Sequence, residues 1–212
     1  MIGAWSAVAT WLTPPPVEVV QVERLRGPVA VVVRRHNGCV KLAIPDPSLV
    51  VLVGPSGAGK STFAGTYFRR TEIVSSDELR AMLADDPSDQ AASAEAFAIL
   101  SQLLNGRLRR RLLTVVDATN LRAENRRRWL RLAARFGLPS VAIVFDLPDS
   151  TVLAQNAARP ERQVEDEVVA AQTEALRRAR AAIPDEGFSY LYVVPDPLAP
   201  GAISVERVRR EA

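Results

Sequence analysis

The sequence is poor in the residues that build disulfides and zinc clusters. Its 212 residues contain one cysteine, Cys39, and one histidine, His36. A disulfide within the chain is therefore impossible, which is typical of proteins in a reducing compartment, and we expect a cytoplasmic protein. The same counts exclude a metal cluster built from several cysteine and histidine side chains.

Long apolar runs are also absent. No segment approaches the roughly 18–20 consecutive apolar residues that a membrane-spanning helix requires. The first residues, Met1 to Trp5, lack the basic start of a secretory signal, so we expect no targeting segment and no membrane association. Nothing in the sequence indicates the oligomeric state.

Lysine is nearly missing, because Lys41 and Lys60 are the only two among 27 basic residues. Such an arginine bias most often reflects genomic base composition, so it is not by itself a sign of nucleic-acid binding. The net charge of +3 permits a polyanionic partner without requiring one. Against this background, Lys60 indicates a position that arginine could not fill.

The length fits one domain, which we divide into three segments. Residues 1–47 are an N-terminal extension of uncertain order, 48–195 an α/β domain, and 196–212 a C-terminal tail. Within the extension, Val17–Val22 and Val29–Val33 are β-rich runs, and Asn37-Gly38 is a typical hairpin turn. The tail is expected to be irregular up to a last short basic segment.

Strands and helices alternate from residue 48 onward. This order implies right-handed crossovers and a doubly wound parallel sheet flanked by helices. Strands are predicted at 49–53, 72–74, 112–116, 141–145 and 190–194. Helices are predicted at 59–69, 77–83, 92–110, 122–136, 150–158 and 164–182. The predicted core stripes are Phe97, Leu100, Leu103 and Leu104 on one helix and Trp129, Leu132, Ala133 and Phe136 on another.

The segment Gly54–Ser61 matches the GxxxxGK[ST] (Walker A) pattern of phosphate-binding loops. It lies directly after the first predicted strand and at the start of a helix, which is the position that this motif requires. Its glycines let the backbone approach phosphates, and its N–H groups form an anion cradle with the helix N-terminus. Lys60 is suited to the β- and γ-phosphates, and the Ser61 hydroxyl to Mg²⁺. The sequence therefore predicts a protein that binds ATP and Mg²⁺ and moves the γ-phosphoryl group, although the motif alone does not separate kinases from hydrolysing NTPases. The predicted ATP-binding residues are Gly54, Pro55, Ser56, Gly57, Ala58, Gly59, Lys60, Ser61 and Thr62.

A carboxylate and an arginine follow the second strand, in Ser75-Ser76-Asp77 and Arg80. Ser76 or Asp77 could simply cap the helix. Asp77 and Arg80 are three residues apart, so they share a helix face. There the carboxylate could accept a proton from an attacking hydroxyl, while the arginine holds an anionic substrate.

Three further polar segments allow two interpretations each. Asp117, in Asp117-Ala118-Thr119-Asn120, could order a water molecule on Mg²⁺ or hold neighbouring side chains. The acidic run 85–90 is either part of the site or a solvated turn. Arg159 and Arg162 are either solvated or belong to a mobile helical lid that closes over the nucleotide.

Taken together, these motifs resemble the polynucleotide 5′-kinase module of bacterial RNA end-healing and sealing enzymes, a P-loop kinase module of the adenylate-kinase-like and zeta-toxin-like group. The resemblance covers about residues 40–195. The resembling segments are 54–63, 71–77, 85–90, 113–120, 141–145, 162–164 and Glu186-Gly-Phe-Ser-Tyr190.

The resemblance implies a role for each site residue. Asp77 would be the general base on a 5′-hydroxyl of RNA or DNA, and Arg80 would hold the nearby acceptor phosphate. Either Arg159 or Arg162 would be the lid arginine on the donor phosphates. The phosphatase and sealing modules of those enzymes have no counterpart in this sequence.

Residues 1–39 have no counterpart in the resembling module either. One hypothesis is that Val40 marks the true start of the protein. An intact mass measured on protein from its native source, if it included residues 1–39, would refute this.

Two other functions fit the same motifs. The first is a kinase acting on a hydroxyl of a nucleoside, sugar or antibiotic; the second is a nucleotide-binding ATPase or switch without an acceptor. A polynucleotide kinase needs positive walls along which the strand can trail. Arg122, Arg126 to Arg128, Arg131 and Arg135 either form such a wall or are the solvated face of one helix.

Overall fold

The computed structural model describes residues 30–31, 34–36, 39–158, 164–194 and 203–209. The run at 17–22, the Asn37-Gly38 turn, Arg159 and Arg162 lie outside these ranges. Within them the strands are β1 (Ala30–Val31), β2 (Arg34–His36), β3 (Cys39–Asp46), β4 (Leu49–Val53), β5 (Ile73–Ser75), β6 (Thr114–Asp117), β7 (Ser140–Phe145), β8 (Tyr190–Val194) and β9 (Ile203–Arg209). The α-helices are α1 (Lys60–Tyr67), α2 (Ser76–Ala84), α3 (Ser93–Arg109), α4 (Ala123–Arg135), α5 (Asp149–Ala157) and α6 (Asp166–Arg180).

Six strands form the main sheet, in the order β1-β8-β7-β4-β6-β5. Every neighbouring pair is parallel, which confirms the predicted doubly wound parallel sheet. Each strand and helix predicted between residues 48 and 195 is present, with ends that coincide with the prediction or differ from it by one or two residues.

The central strand β4 explains why the sheet has two covered faces. All five of its residues are buried, and alternate side chains of a strand point to opposite faces. Leu49, Val51 and Val53 pack in the core formed with α3, α4 and α6. Val50 and Leu52 pack in the second core, formed with α1 and α5. Because both faces of β4 are covered, every residue of the strand is apolar.

Because the strands are parallel, their carboxyl ends meet at one edge of the sheet. β4 ends before Gly54, and β5 and β6 end at Ser75 and Asp117, which are paired in register. In open α/β sheets, ligands bind at this edge. The phosphate loop, the start of α2 and Asp117 therefore share one side of the molecule.

A second sheet, in the order β2-β3-β9, joins the extension to the tail. β2 and β3 pair antiparallel, while β3 and β9 pair in parallel. The Tyr192 hydroxyl donates to Ala43 O over 2.6 Å, and the Tyr67 hydroxyl donates to Ile203 O over 2.7 Å. Leu42 and Ile44 are fully buried in the α1–α5 core.

Part of the tail, residues 203–209, is therefore a β-strand, although the tail was expected to be irregular up to its last basic segment. β9 alternates weakly in polarity, and its partner β3 lies about 160 residues earlier, so no local pattern identifies it. One further expectation is wrong. Leu103 is 44% exposed, whereas Leu100 and Leu104 are buried, because the apolar stripe of α3 is narrower than predicted.

Candidate active site at the carboxyl edge of the sheet

The phosphate loop packs tightly against α5. Gly57 has φ +85°, and a Cβ placed on it would lie 2.6 Å from Val152 O of that helix, so no side chain fits there. α1 begins directly after Gly59, which has left-handed backbone and provides no side-chain cap. The first amide groups of α1 therefore remain able to bind an anion.

Lys60 is buried beneath the loop, and its ammonium donates to Pro55 O over 2.7 Å. Ser61 and Thr62, the next two residues of α1, are exposed. A cation at the loop and hydroxyl groups beside it are the groups that P-loop proteins use for the β- and γ-phosphates and for Mg²⁺.

A contact from α6 reaches the same loop. The Ser56 backbone N–H donates to Gln172 Oε1 over 2.7 Å, although the two residues are 116 positions apart. Gln172 carries no local sequence signal for this role, since it lies inside the amphipathic helix α6 and belongs to no recognisable motif.

The start of α2 places Asp77 beside Arg80. The N-cap of α2 is Ser75, whose hydroxyl accepts from the Glu78 N–H. Neither Ser76 nor Asp77 is the cap, so the Asp77 carboxylate is not used for that purpose. It accepts instead from Arg80 Nη2 and from the Ser76 hydroxyl.

The acidic run 85–90 holds the other side of Arg80. Arg80 Nε donates to Pro87 O over 2.8 Å, and the turn itself is closed by Asp86, which accepts from the Ser88 N–H and hydroxyl. Burial lowers the pKa of Arg80, while the charges of Asp86 and Asp89 oppose that shift. The run is therefore a folded turn that orients Arg80.

Asp117 lies at the end of β6, largely buried, opposite Ser75 and one strand from the phosphate loop. The described residues contain no cluster of three or more His, Cys, Asp or Glu side chains. Mg²⁺ bound with a nucleotide needs only one or two protein oxygens, since phosphates and water complete its shell. The Ser61 hydroxyl and the Asp117 carboxylate fit such an ion.

Asn120 has a structural role in the same loop. Its Nδ2 donates to Leu52 O over 2.7 Å, and its Oδ1 accepts from Trp129 Nε1 over 2.9 Å. The preceding residue, Thr119, accepts from the Gly54 N–H over 3.0 Å. The loop after β6 is therefore hydrogen-bonded both to β4 and to the first residue of the phosphate loop, and it holds the junction between them in place.

Arg126 contradicts both interpretations given to the arginines of α4. Its side chain is buried and donates to both carboxylate oxygens of Glu186, at 2.5 and 2.7 Å, and to the Asn120 and Leu121 carbonyls. It is neither a solvated residue nor a wall of a channel. The Glu186-Gly-Phe motif thus includes the partner of a buried arginine.

The other arginines of α4, together with its N-cap residue Arg122, form an exposed basic face, which we call the α4 arginine face. In the described part of the chain none of them forms an ion pair, although Arg128 and Arg135 lie over the rings of Trp129 and Phe136. By contrast, Arg177 and Arg180 of α6 pair with carboxylates. The face consists of Arg122, Arg127, Arg128, Arg131 and Arg135.

Comparisons with solved structures agree with this fold. A chain of the Pnkp1/Rnl/Hen1 RNA repair complex matches with 24% identity and a TM-score of 0.56, over 66% of this chain and 46% of that one. A chain of the AvrRxo1-ORF1:AvrRxo1-ORF2 complex with sulphate ions matches with 20% identity and a TM-score of 0.51, over 66% and 50%. This chain thus spans about half the length of these neighbours. No curated protein is similar enough in sequence to be counted as a relative.

In the described ranges, no helix has both the length and the apolar character needed to cross a membrane.

A family model described as an AAA domain, AAA_33, matches residues 49–183, from the first residue of β4 to the segment after α6. That range includes the phosphate loop, Asp77, Arg80 and Asp117. The chain belongs to the AAA_33 family of P-loop kinase domains.

Proposed function

We propose that this chain transfers the γ-phosphoryl group of ATP to the 5′-hydroxyl end of a polynucleotide. The observation that carries the proposal is the Asp77–Arg80 pair, which lies at the same sheet edge as the phosphate loop. A nucleotide switch needs a phosphate loop but has no need of a carboxylate and an arginine on the acceptor side. Acceptor chemistry needs both.

In the proposed reaction the acceptor 5′-hydroxyl oxygen attacks the γ-phosphorus, and the bond from that phosphorus to the β–γ bridging oxygen breaks. Asp77 accepts the proton of the hydroxyl, and ADP leaves with the electron pair of the broken bond. Arg80 donates to a phosphate of the acceptor, which holds the hydroxyl in line with the leaving oxygen.

The donor side stabilises the charge that moves onto the leaving oxygen. Lys60 and the amide groups of the phosphate loop donate to the β- and γ-phosphates. When bound, Mg²⁺ supplies charge neutralisation on those phosphates, and Ser61 and Asp117 are the residues that would hold it. By resemblance, Arg159 or Arg162 adds a further cation on the donor phosphates.

The α4 arginine face favours a polynucleotide over a small acceptor. α4 starts just after the loop that follows β6, and Arg127, Arg131 and Arg135 are spaced four residues apart, so they follow one another along one exposed face of that helix. Unpaired cations in such a row can neutralise successive phosphates of a strand. A sugar or nucleoside has no group that would reach them.

A panel of acceptors tests the proposal. We expect labelled phosphate to pass from ATP to 5′-hydroxyl oligonucleotides, and not to nucleosides, sugars or 5′-phosphorylated strands. Arg127→Gln with Arg131→Gln should raise the KM for the oligonucleotide and make that KM less dependent on salt. In a plot of the logarithm of KM against the logarithm of salt concentration, each lost phosphate contact should lower the slope by about 1. The KM for ATP should stay unchanged.

The matched control is Arg177→Gln with Arg180→Gln, which removes the same charge from arginines that are already paired with carboxylates. It should leave the oligonucleotide KM near the wild-type value. Faster phosphorylation of a nucleoside or sugar than of any oligonucleotide would contradict the proposal.

A further inference from the structure

One peptide group of the phosphate loop is held from both sides. Its carbonyl, Pro55 O, accepts from the Lys60 ammonium, and its N–H, on Ser56, donates to Gln172 Oε1, each over 2.7 Å. The two bonds lie at opposite ends of a single planar unit. Rotation of that unit would therefore break both bonds together.

The chemistry assigns the orientation of the Gln172 amide. A backbone N–H can only donate, so the oxygen of the side-chain amide must face Ser56. A cation on the carbonyl of a peptide group polarises the group and makes its N–H a better donor. The bond to Lys60 thus strengthens the bond to Gln172, and the reverse also holds.

α6 presents Gln172 from a firmly held position. The Asn156 side chain, fully buried at the end of α5, donates to Val164 O and accepts from the Val164 N–H, just before α6. The same Asn156 is one of the groups against which Gly57 packs. The phosphate loop is consequently seated on α5 and bonded to α6, two helices that are tied to each other.

We propose that Gln172 is a positioning residue for the phosphate loop, which fixes the Pro55–Ser56 peptide and thereby the loop conformation that binds nucleotide phosphates. The inference deepens the proposed function on its donor side and rests only on nucleotide binding. Without the acceptor oxygen of Gln172, the loop populates several peptide orientations. The apparent dissociation constant for nucleotide then equals the intrinsic one divided by the fraction of molecules whose loop has the binding conformation.

Gln172→Met tests this, because methionine has nearly the same size and lacks the acceptor oxygen. We expect the dissociation constant for a fluorescent ADP analogue with Mg²⁺ to rise about tenfold, corresponding to a competent fraction of about one tenth. Without nucleotide, amide exchange should increase in the peptide that covers the phosphate loop and stay unchanged elsewhere. Gln102→Met, the same change at an exposed position of α3, should alter neither property.

Gln172→Glu is the rescue variant, since its carboxylate still accepts from Ser56. It should keep the phosphate loop protected from exchange, as in the wild type. Wild-type affinity and exchange in Gln172→Met would overturn the proposal, as would increased exchange spread over the whole chain.

The assay contains no acceptor, so its result is independent of whether the substrate is a polynucleotide. A wild-type protein that binds nucleotide yet phosphorylates no oligonucleotide would sink the proposed function alone. A wild type that binds no nucleotide would overturn both.

Discussion

Two arginine–carboxylate pairs lie in different surroundings in this protein. At the acceptor side of the sheet edge, the side chains of Arg80 and Asp77 are 11% and 31% exposed. Between α4 and the segment before β8, Arg126 and Glu186 are 1% and 7% exposed. Both pairs unite the same two chemical groups, so their environments must decide what each can do.

The use of the guanidinium donors distinguishes the two. Arg126 donates four of its five N–H groups, to Glu186 and to two carbonyls, and its side chain is buried away from any ligand. Arg80 uses Nε and Nη2, and its Nη1 has no acceptor among the described residues. A buried pair that is bonded on every nitrogen stabilises the fold, whereas a partly open pair at the strand ends can bind a substrate.

The largest expected effect comes from breaking the buried pair. Glu186→Ala leaves the Arg126 guanidinium buried without its counter-ion, which should cost about 3–5 kcal/mol of unfolding free energy. Urea denaturation measures this. If the two pairs had the same role, the variant would retain its stability and lose transfer instead.

Removal of the phosphate-loop cation should spare the fold and abolish the chemistry. Lys60→Ala takes away the charge on the donor phosphates, so transfer should fall by roughly 10² to 10³ or more. Single-turnover transfer measures the loss, and a thermal melt without nucleotide verifies that the protein is folded. Transfer within tenfold of wild type would contradict the role of Lys60.

Arg80→Met breaks the open pair. Loss of a charge-assisted bond to the acceptor phosphate should raise the acceptor KM by about 10- to 100-fold. The unfolding free energy should change by no more than about 1 kcal/mol, as for other partly solvated pairs. An unchanged acceptor KM with a large loss of stability would place Arg80 in the same class as Arg126.

A third pair, Glu72–Arg207, sharpens the comparison through its pH dependence. Burial alone raises the pKa of Glu72, but hydrogen bonds from Arg207 and the Arg69 N–H, with the charges of both arginines, outweigh it and lower that pKa below its ordinary value of 4.5. The stabilisation is therefore complete above pH 4.5 and is lost as the pH falls through the lowered pKa.

In Glu72→Gln the unfolding free energy should fall less steeply as the pH is lowered, by about 1 kcal/mol in total, because the variant has no carboxylate to protonate at this position. Unfolding free energies of wild type and variant between pH 3 and 6 measure it. Glu78→Gln, which removes a more exposed partner of Arg70, should leave the acid limb nearly as steep as in the wild type. Equal slopes for Glu72→Gln and wild type would contradict the assignment.

Most of the fold follows from local patterns. Apolar runs such as 49–53 and the glycines of the phosphate loop predict their own structure, because burial on two faces and close approach to an anion restrict the residue types allowed. Asp77 and Arg80 were also predictable, since their spacing alone puts them on one helix face.

Contacts between distant segments could not be predicted in this way. Arg126 resembles its exposed neighbours on α4 until Glu186, 60 residues later, is placed beside it. β9 is identified by β3, and Gln172 by the Ser56 N–H. In each case the deciding partner is set by the topology of the sheets, and the sequence carries no local signal for it.

The most direct test of the account is single-turnover transfer of labelled γ-phosphate from ATP to a 5′-hydroxyl oligonucleotide by Asp77→Asn. The control is Glu78→Gln, which neutralises the adjacent carboxylate of α2. We expect Asp77→Asn to slow transfer by about 10² to 10⁴-fold, with ATP affinity retained, while Glu78→Gln transfers at nearly the wild-type rate. Transfer at the wild-type rate by Asp77→Asn would contradict the assignment of Asp77 as the general base.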